Sequence, residues 1–238
     1  MQESDLHAQN KILFFNKDYI AEFVYGAIDG TITTFAVVAG AEGASLSTSV
    51  VVILGLANLI ADGFSMSVGN FFSTKAERDS FENHKAVEYW EVENMREREV
   101  EEIREIYAAK GFKGELLEKV VEVITADKDV WVDTMMKEEL EMTKDDKTPF
   151  KTAGVTFLSF LIIGSIPLLT YLFGEVEEGS LFLYSSILTG IALAIIGVLK
   201  SRVTEQNMVR GVAETVFLGG VAALLAYFVG DILEKILL

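Results

Sequence analysis

Residues Thr152–Phe173 read TAGVTFLSFLIIGSIPLLTYLF and Leu181–Leu199 read LFLYSSILTGIALAIIGVL, and neither stretch holds a charged side chain. A helix rises ~1.5 Å per residue, so about 20 apolar residues cross a bilayer, and both stretches are long enough. Pro167 is expected as a tolerated kink, because neighbouring groups in a membrane protein satisfy the backbone it frees. Three further stretches, Ile20–Glu42, Thr48–Ser73 and Val209–Val229, have similar length and apolar character but carry Glu22 and Asp29, Asp62, and Glu214. The expected fold is therefore all-α, a polytopic membrane protein with five transmembrane helices. An ordinary soluble domain is excluded, since apolar runs this continuous are not cores separated by polar turns.

The charge lies elsewhere in the chain. Between Ala76 and Lys147, 34 of 72 residues are charged, against 22 in the other 166. This gives three expected segments: residues 1–75 with the first two transmembrane helices, residues 76–147 as an acidic helical domain, and residues 148–238 with the last three. The insert holds 22 acids and 12 bases, so −10 of the net −16 sits there. Such acidity excludes nucleic acid, which attracts lysine and arginine clusters, and suits cations. With no cysteine, disulfides, thiolate metal sites and cysteine nucleophiles are absent. No phosphate-binding glycine loop and no serine, histidine and acid arrangement is present.

Lysine and arginine fix the orientation, because they stay cytoplasmic. With the N-terminus inside, the outer loops are Gly43–Ser47, free of positive charge, and Gly174–Ser180, with Glu175, Glu177 and Glu178. Nineteen of the twenty basic residues then lie on the cytoplasmic side, Lys235 being the exception. The insert is thereby expected in the cytoplasm and the C-terminus outside. The polar segment Met1–Lys17 reads as neither a secretory signal nor a transit peptide. No organelle address is evident, and a prokaryotic plasma membrane is the expected location. The spacing of Gly26 and Gly30 allows close helix packing, within one chain or across a dimer.

Lys75–Lys110 contains no proline or glycine and is rich in helix formers, so composition predicts that the second span continues out of the membrane as one long helix. Gly111 and Gly114 break it. Helices over Glu115–Ile124 and Lys128–Met142 follow, the second capped by Asp127, before Thr148-Pro149 leads back to the membrane. Packing is the expected role of Trp90 and Trp131.

Within the insert, Glu88 and Glu91 are three apart, Glu99 and Glu102 are three apart, and eleven residues separate the pairs. Eleven residues fall within about 20° of whole turns, so all four carboxylates share a stripe with Met95, with His84 one turn before Glu88 and Glu105 at its far end. Like charges at this spacing weaken a helix, and a divalent cation would neutralise them. On a straight helix, however, the pairs stand ~16 Å apart, too far for one site. Met135 and Glu139, four apart, add a thioether and a carboxylate that lean toward a transition metal. The competing reading is a solvated acidic face with methionine as packing.

In the membrane, Asp29 and Asp62 are expected at similar depth, with Met66 one turn to the cytoplasmic side of Asp62, Asn58 one turn to the outer side, and Glu22 near the cytoplasmic mouth. Intramembrane acids cost at least ~2.5 kcal/mol each and mark ion paths. A desolvated carboxylate holds a metal ion or a proton, which suits exchange. The competing reading is helix glue, each acid hydrogen-bonded to a neighbouring threonine or backbone group.

Asp29-Gly-Thr-Ile-Thr-Thr-Phe-Ala-Val-Val-Ala-Gly40, then Gly55-Leu-Ala-Asn-Leu-Ile-Ala-Asp-Gly-Phe-Ser-Met66 and Lys75-Ala-Glu77, resemble the vacuolar iron transporter family over nearly the whole chain. The resemblance implies a five-helix homodimer that moves Fe²⁺, and often Mn²⁺, out of the cytosol in exchange for protons. It thus implies a transporter rather than a bond-making enzyme. Asp29 and Met66 fall on the family's pore ligands, and Glu88, Glu91, Glu99, Glu102, Met135 and Glu139 on its cytoplasmic metal ligands. It also implies a break near Met95–Arg98, so that the two glutamate pairs fold together. Plant members have a glutamate where this chain has Asn58, with Asp62 one turn away. Carboxylate and thioether ligands accept Fe²⁺, Mn²⁺, Zn²⁺ and Co²⁺ alike. Two rivals are a membrane-tethered ferroxidase, disfavoured because Glu-x-x-His pairs are absent and His7 and His84 are the only histidines, and an acidic membrane scaffold without transport.

Overall fold

A computed structural model describes residues 19–174 and 178–237. Expectations for Met1–Lys17, His7, Glu175 and Glu177 lie outside those residues. Nine α-helices are found among the described residues: α1 (Ile20–Gly43), α2 (Thr48–Asn94), α3 (Arg96–Ala109), α4 (Gly114–Ala126), α5 (Lys128–Glu138), α6 (Pro149–Gly164), α7 (Leu169–Phe173), α8 (Leu181–Val203) and α9 (Met208–Leu237). No strand occurs among them. Among the described residues five spans are long and apolar enough to cross a membrane, the third running Pro149–Phe173 through α6, a 3₁₀ turn at Ile166–Leu168, and α7. The kink falls at Pro167, and Ser185 Oγ donates 2.7 Å to its carbonyl oxygen.

The chain divides into two compact units, one holding residues up to Phe72 and from Lys147 onward, the other Ser73–Asp146. In the first, α1 packs against α6, α8 and α9. Small residues make this possible. A Cβ on Gly164 would stand 2.8 Å from the Gly30 carbonyl carbon, and one on Gly26 would meet Ser159 Oγ and, at 2.6 Å, the Thr156 carbonyl oxygen. At the other end of α1, Gly43 abuts Tyr227, and Gly230 abuts Gly40. The Gly26/Gly30 spacing is thus used inside one chain, against α6.

The second unit contains its own core of Val92, Ile103, Ile124, Trp131, Val132, Met135 and Met136. The single helix expected over Lys75–Lys110 is corrected here. Met95 leaves helical geometry at φ −126°, ψ 29°, ending α2 and beginning α3. Backbone bonds continue around it, since Met95 N–H donates 2.6 Å to the Glu91 oxygen and Glu99 N–H donates 3.2 Å to the Met95 oxygen. Neither proline nor glycine forces the break; it lets Val92 and Ile103 enter one apolar cluster, and tertiary burial outweighs local propensity. The last insert helix stops at Glu138 rather than Met142. Asp127 caps it, Oδ1 accepting from Asp129 N–H at 2.9 Å and Val130 N–H at 3.2 Å. Trp131 is fully buried, with the Arg96 guanidinium 4.9 Å from its ring centroid. Trp90 departs from the packing expected of it and is 56% exposed.

Candidate metal centre

The break at Met95 brings the glutamate pairs together. Oxygens of Glu88 and Glu91 on α2 and Glu99 on α3 all lie within 4.8 Å of one another. Glu88 is 4% and Glu99 1% exposed, and each has a buried Oε2 with no hydrogen-bond partner. Burial, and then the charges of Glu139, Glu91, Glu99 and Glu102, push the Glu88 carboxyl up to about 7. Burial, and then Glu102, Glu91 and Glu139, push Glu99 up to about 7 against the opposing Arg98. Glu139, at the end of α5, is raised by burial and by Glu102 and Glu91. Five of the expected ligands therefore act on one another across three helices. Met135, fully buried one turn before Glu139, sits in the core of the same unit.

One counter-charge stands beside this set: Arg98 Nε donates 2.9 Å to Glu102 Oε1 from a largely exposed position. Four other basic residues of the unit are engaged elsewhere, Lys85 with Asp133 at 2.9 Å, Arg104 with Glu118 at 3.1 Å, Lys110 with Glu138 and Lys128 with Glu93. The donor set thus offers clustered, partly orphaned carboxylate oxygens without enough nearby cation to satisfy them, which a divalent ion fits. His84 is exposed and engages the Ser80 carbonyl at 2.8 Å, and Glu105 is exposed, so neither joins the cluster.

In the membrane helices the acids fall into two kinds. Glu22 accepts from Lys147 Nζ at 2.7 Å, Glu42 from Tyr171 Oη at 3.3 Å, and Glu214 from Lys200 Nζ at 3.0 Å and Arg210 Nε at 2.9 Å. The carboxylates of Asp29 and Asp62 make no hydrogen bond or ion pair among the described residues, although they lie within electrostatic reach of each other. Helix glue predicts a hydroxyl or backbone partner for each; Thr33 instead donates to the Asp29 backbone oxygen at 2.8 Å. Asn58, on the Asp62 face, has a buried Nδ2 without a partner, and Met66 is half-buried. Sequence reasoning missed Asn70, one turn beyond Met66, whose Nδ2 donates 2.7 Å to Thr156 Oγ1 on α6; its four-residue spacing from Met66 was the available signal.

The VIT family model matches residues 20–231. The chain is 37% identical over 230 residues to the vacuolar iron transporter of Toxoplasma gondii, covering 93% of this chain and 76% of that protein. It is 34% identical over 240 residues to the vacuolar iron transporter of Plasmodium falciparum, covering 97% and 87%. To vacuolar iron transporter 1 of Arabidopsis thaliana it is 29% identical over 218 residues, covering 91% and 87%.

Proposed function

The chain belongs to the VIT family, and from that premise we propose that it exports ferrous iron from the cytosol in exchange for protons, with manganese as a second cargo. The observation that carries the proposal is the pair Asp29 and Asp62, ionisable groups on membrane-crossing helices that no neighbour among the described residues neutralises. A carboxylate without a partner is costly in a bilayer and is satisfied by a cation or a proton. The same property lets one site hold each in turn, which is what exchange requires.

In this reading Glu88, Glu91, Glu99, Glu102, Glu139 and Met135 capture the ion on the cytosolic side. Asp29, Asp62 and Met66 carry it through the bilayer, with Asn58 and Glu22 on the same route. The mixture of carboxylate oxygens with one thioether in each set suits Fe²⁺ and other borderline transition ions better than Ca²⁺ or Mg²⁺. Proton coupling follows from the same groups, since a carboxylate released by metal takes up a proton before it returns.

The proposal includes a homodimer. Ala57, Ala61, Ser65 and Gly69 form an exposed stripe of small residues along α2, the kind of surface on which a second helix packs closely in lipid. The stripe lies immediately beside Asn58, Asp62, Met66 and Asn70, so a second copy seated there would flank the polar ladder.

Reconstitution into proteoliposomes with an imposed pH gradient tests the whole reading. Fe²⁺ entry should depend on the gradient, compete with Mn²⁺, Co²⁺ and Zn²⁺ in a measurable order, and vanish in Asp29→Ala. Flux unaffected by that substitution would sink the path assignment. Oxygen consumption on Fe²⁺ addition without flux would favour the ferroxidase instead.

A further inference from the structure

We infer that Asn70 is a ligand of the transported divalent cation, one turn to the cytoplasmic side of Met66, and that Thr156 fixes its amide in the binding orientation. The inference rests on the transport reading and adds a residue to its route. Asn58, Asp62, Met66 and Asn70 recur every four residues along α2, so each lies about one turn from the next on a slowly turning face.

The hydrogen bonds around Asn70 decide which end of its amide is available. Thr156 is fully buried, and its hydroxyl donates 2.9 Å to the Thr152 carbonyl oxygen in its own helix. Having committed its one proton, that oxygen only accepts from Asn70, which must offer Nδ2, at 2.7 Å. The carboxamide oxygen is thereby turned away from α6, and it has no partner among the described residues. An amide oxygen is a neutral ligand that hard and borderline divalent ions accept. Being uncharged, it replaces one water of an entering ion without holding the ion as firmly as a carboxylate.

A purely structural role fits less well. The join between α2 and α6 is already made by Ser67 Oγ, which donates 3.0 Å to the Ala153 carbonyl oxygen. Glue would also use only the amide nitrogen and leave the oxygen idle. The Asn58 amide has a buried nitrogen without a partner, so Asn70 is the asparagine of the ladder whose orientation is fixed by a neighbour.

The test is Fe²⁺ flux into anaerobic proteoliposomes carrying the full chain, with KM and kcat separated for wild type, Asn70→Leu, Asn70→Asp and Thr156→Val. Asn70→Leu should raise KM about tenfold, the loss of roughly one good ligand contact, with a smaller change in kcat. Asn70→Asp should lower KM, because a carboxylate binds the ion more tightly than an amide. Thr156→Val, which leaves the amide unanchored, should raise KM in the same direction as Asn70→Leu. An Asn70→Leu protein with wild-type KM, or Asp and Leu variants that shift KM the same way, would overturn the assignment. If Asn70→Leu does not fold, the Asp variant decides alone: a KM that rises or stays put overturns it. Absence of flux in the wild type overturns the transport reading itself, and Asn70 with it.

Discussion

Glu88 and Glu99 stand on different helices, eleven residues apart, and their carboxylate oxygens lie within 4.8 Å of each other because the chain breaks at Met95 between them. Two nearly inaccessible acids this close, each with an unpartnered oxygen, repel while both are charged. Neutralising one removes that repulsion and also removes a proposed ligand. Glu99→Gln is therefore expected to raise the melting temperature of the metal-free protein and to weaken Fe²⁺ or Mn²⁺ binding at least about tenfold, on the order of 1.4 kcal/mol. Calorimetric titration beside a thermal melt measures both, and unchanged affinity counts against the cluster.

The pH dependence has a definite sign. Glu88 and Glu99 titrate near 7 in the folded protein against an ordinary value of 4.5. Between those values the native state holds protons that the unfolded chain has released, so their contribution is fully present below about 4.5 and is lost as pH rises through about 7. Metal-free protein should lose stability over that window, and the loss should flatten in a Glu88→Gln, Glu99→Gln double variant. Metal binding runs the other way: affinity climbs with pH through about 7, and binding below it releases protons. Melting curves with and without Mn²⁺ across the window decide, and a pH profile that is the same in the double variant refutes the assignment.

Asp29 and Glu22 share α1 but differ in their neighbours, and that difference predicts opposite phenotypes. Glu22 is 11% exposed and paired with Lys147, so Glu22→Gln removes an ion pair and should lower the melting temperature. The Asp29 side chain has no hydrogen-bond or salt-bridge partner to lose among the described residues, so Asp29→Asn should leave stability unchanged or raise it while abolishing flux. A thermal melt in detergent beside a flux assay separates the two. A strongly destabilised Asp29→Asn protein would point to a structural role.

The spans were legible because lipid demands length and apolarity, and both are written in single residues; the uncharged run at Thr152–Phe173 is enough. The candidate ligand set was legible as spacing, since Glu88 and Glu91 share a helix face whatever surrounds them. The Met95 break was not readable from composition, because arginine and glutamate favour helix and the break is imposed by the joint burial of Val92 and Ile103. The resemblance placed it where propensity did not. Gly26 and Gly30 announced a close approach but not its partner, which is Gly164 and Phe160 of the same chain. Asn70 stayed hidden because an asparagine four residues from a methionine becomes distinctive only once Thr156 is seen to hold its nitrogen.

The α1–α6 contact sets a test of packing. A methyl group at Gly164 would stand 2.8 Å from the Gly30 backbone, which belongs to a helix and cannot swing aside. Gly164→Ala should therefore push the helices apart and cost about 1–3 kcal/mol. Gly190 on α8 has nothing within 4 Å of the same position, so Gly190→Ala is the control and should melt like wild type. Equal melting temperatures for the two variants would show that α1 and α6 do not pack as described.

The proposed homodimer has its seam at the small-residue stripe on α2. Ala57, Ala61, Ser65 and Gly69 are exposed although they lie beside Asp62 and Met66, and a Cβ on Gly69 would touch nothing within 4 Å. Association in lipid depends on close van der Waals packing, and small side chains at four-residue spacing permit it. The chain has no cysteine, so one substitution introduces one thiol. Ser65→Cys should form an intermolecular disulfide on mild oxidation in membranes, since residues on a shared helix seam come within the ~4.4–6.8 Å Cα separation a disulfide needs. Gly190→Cys, on α8 and away from the stripe, should remain monomeric on a non-reducing gel. Cross-linking at both positions, or at neither, would remove the stripe as the seam, whereas cross-linking at Ser65 alone would set Asp62 and Met66 of each copy beside the partner.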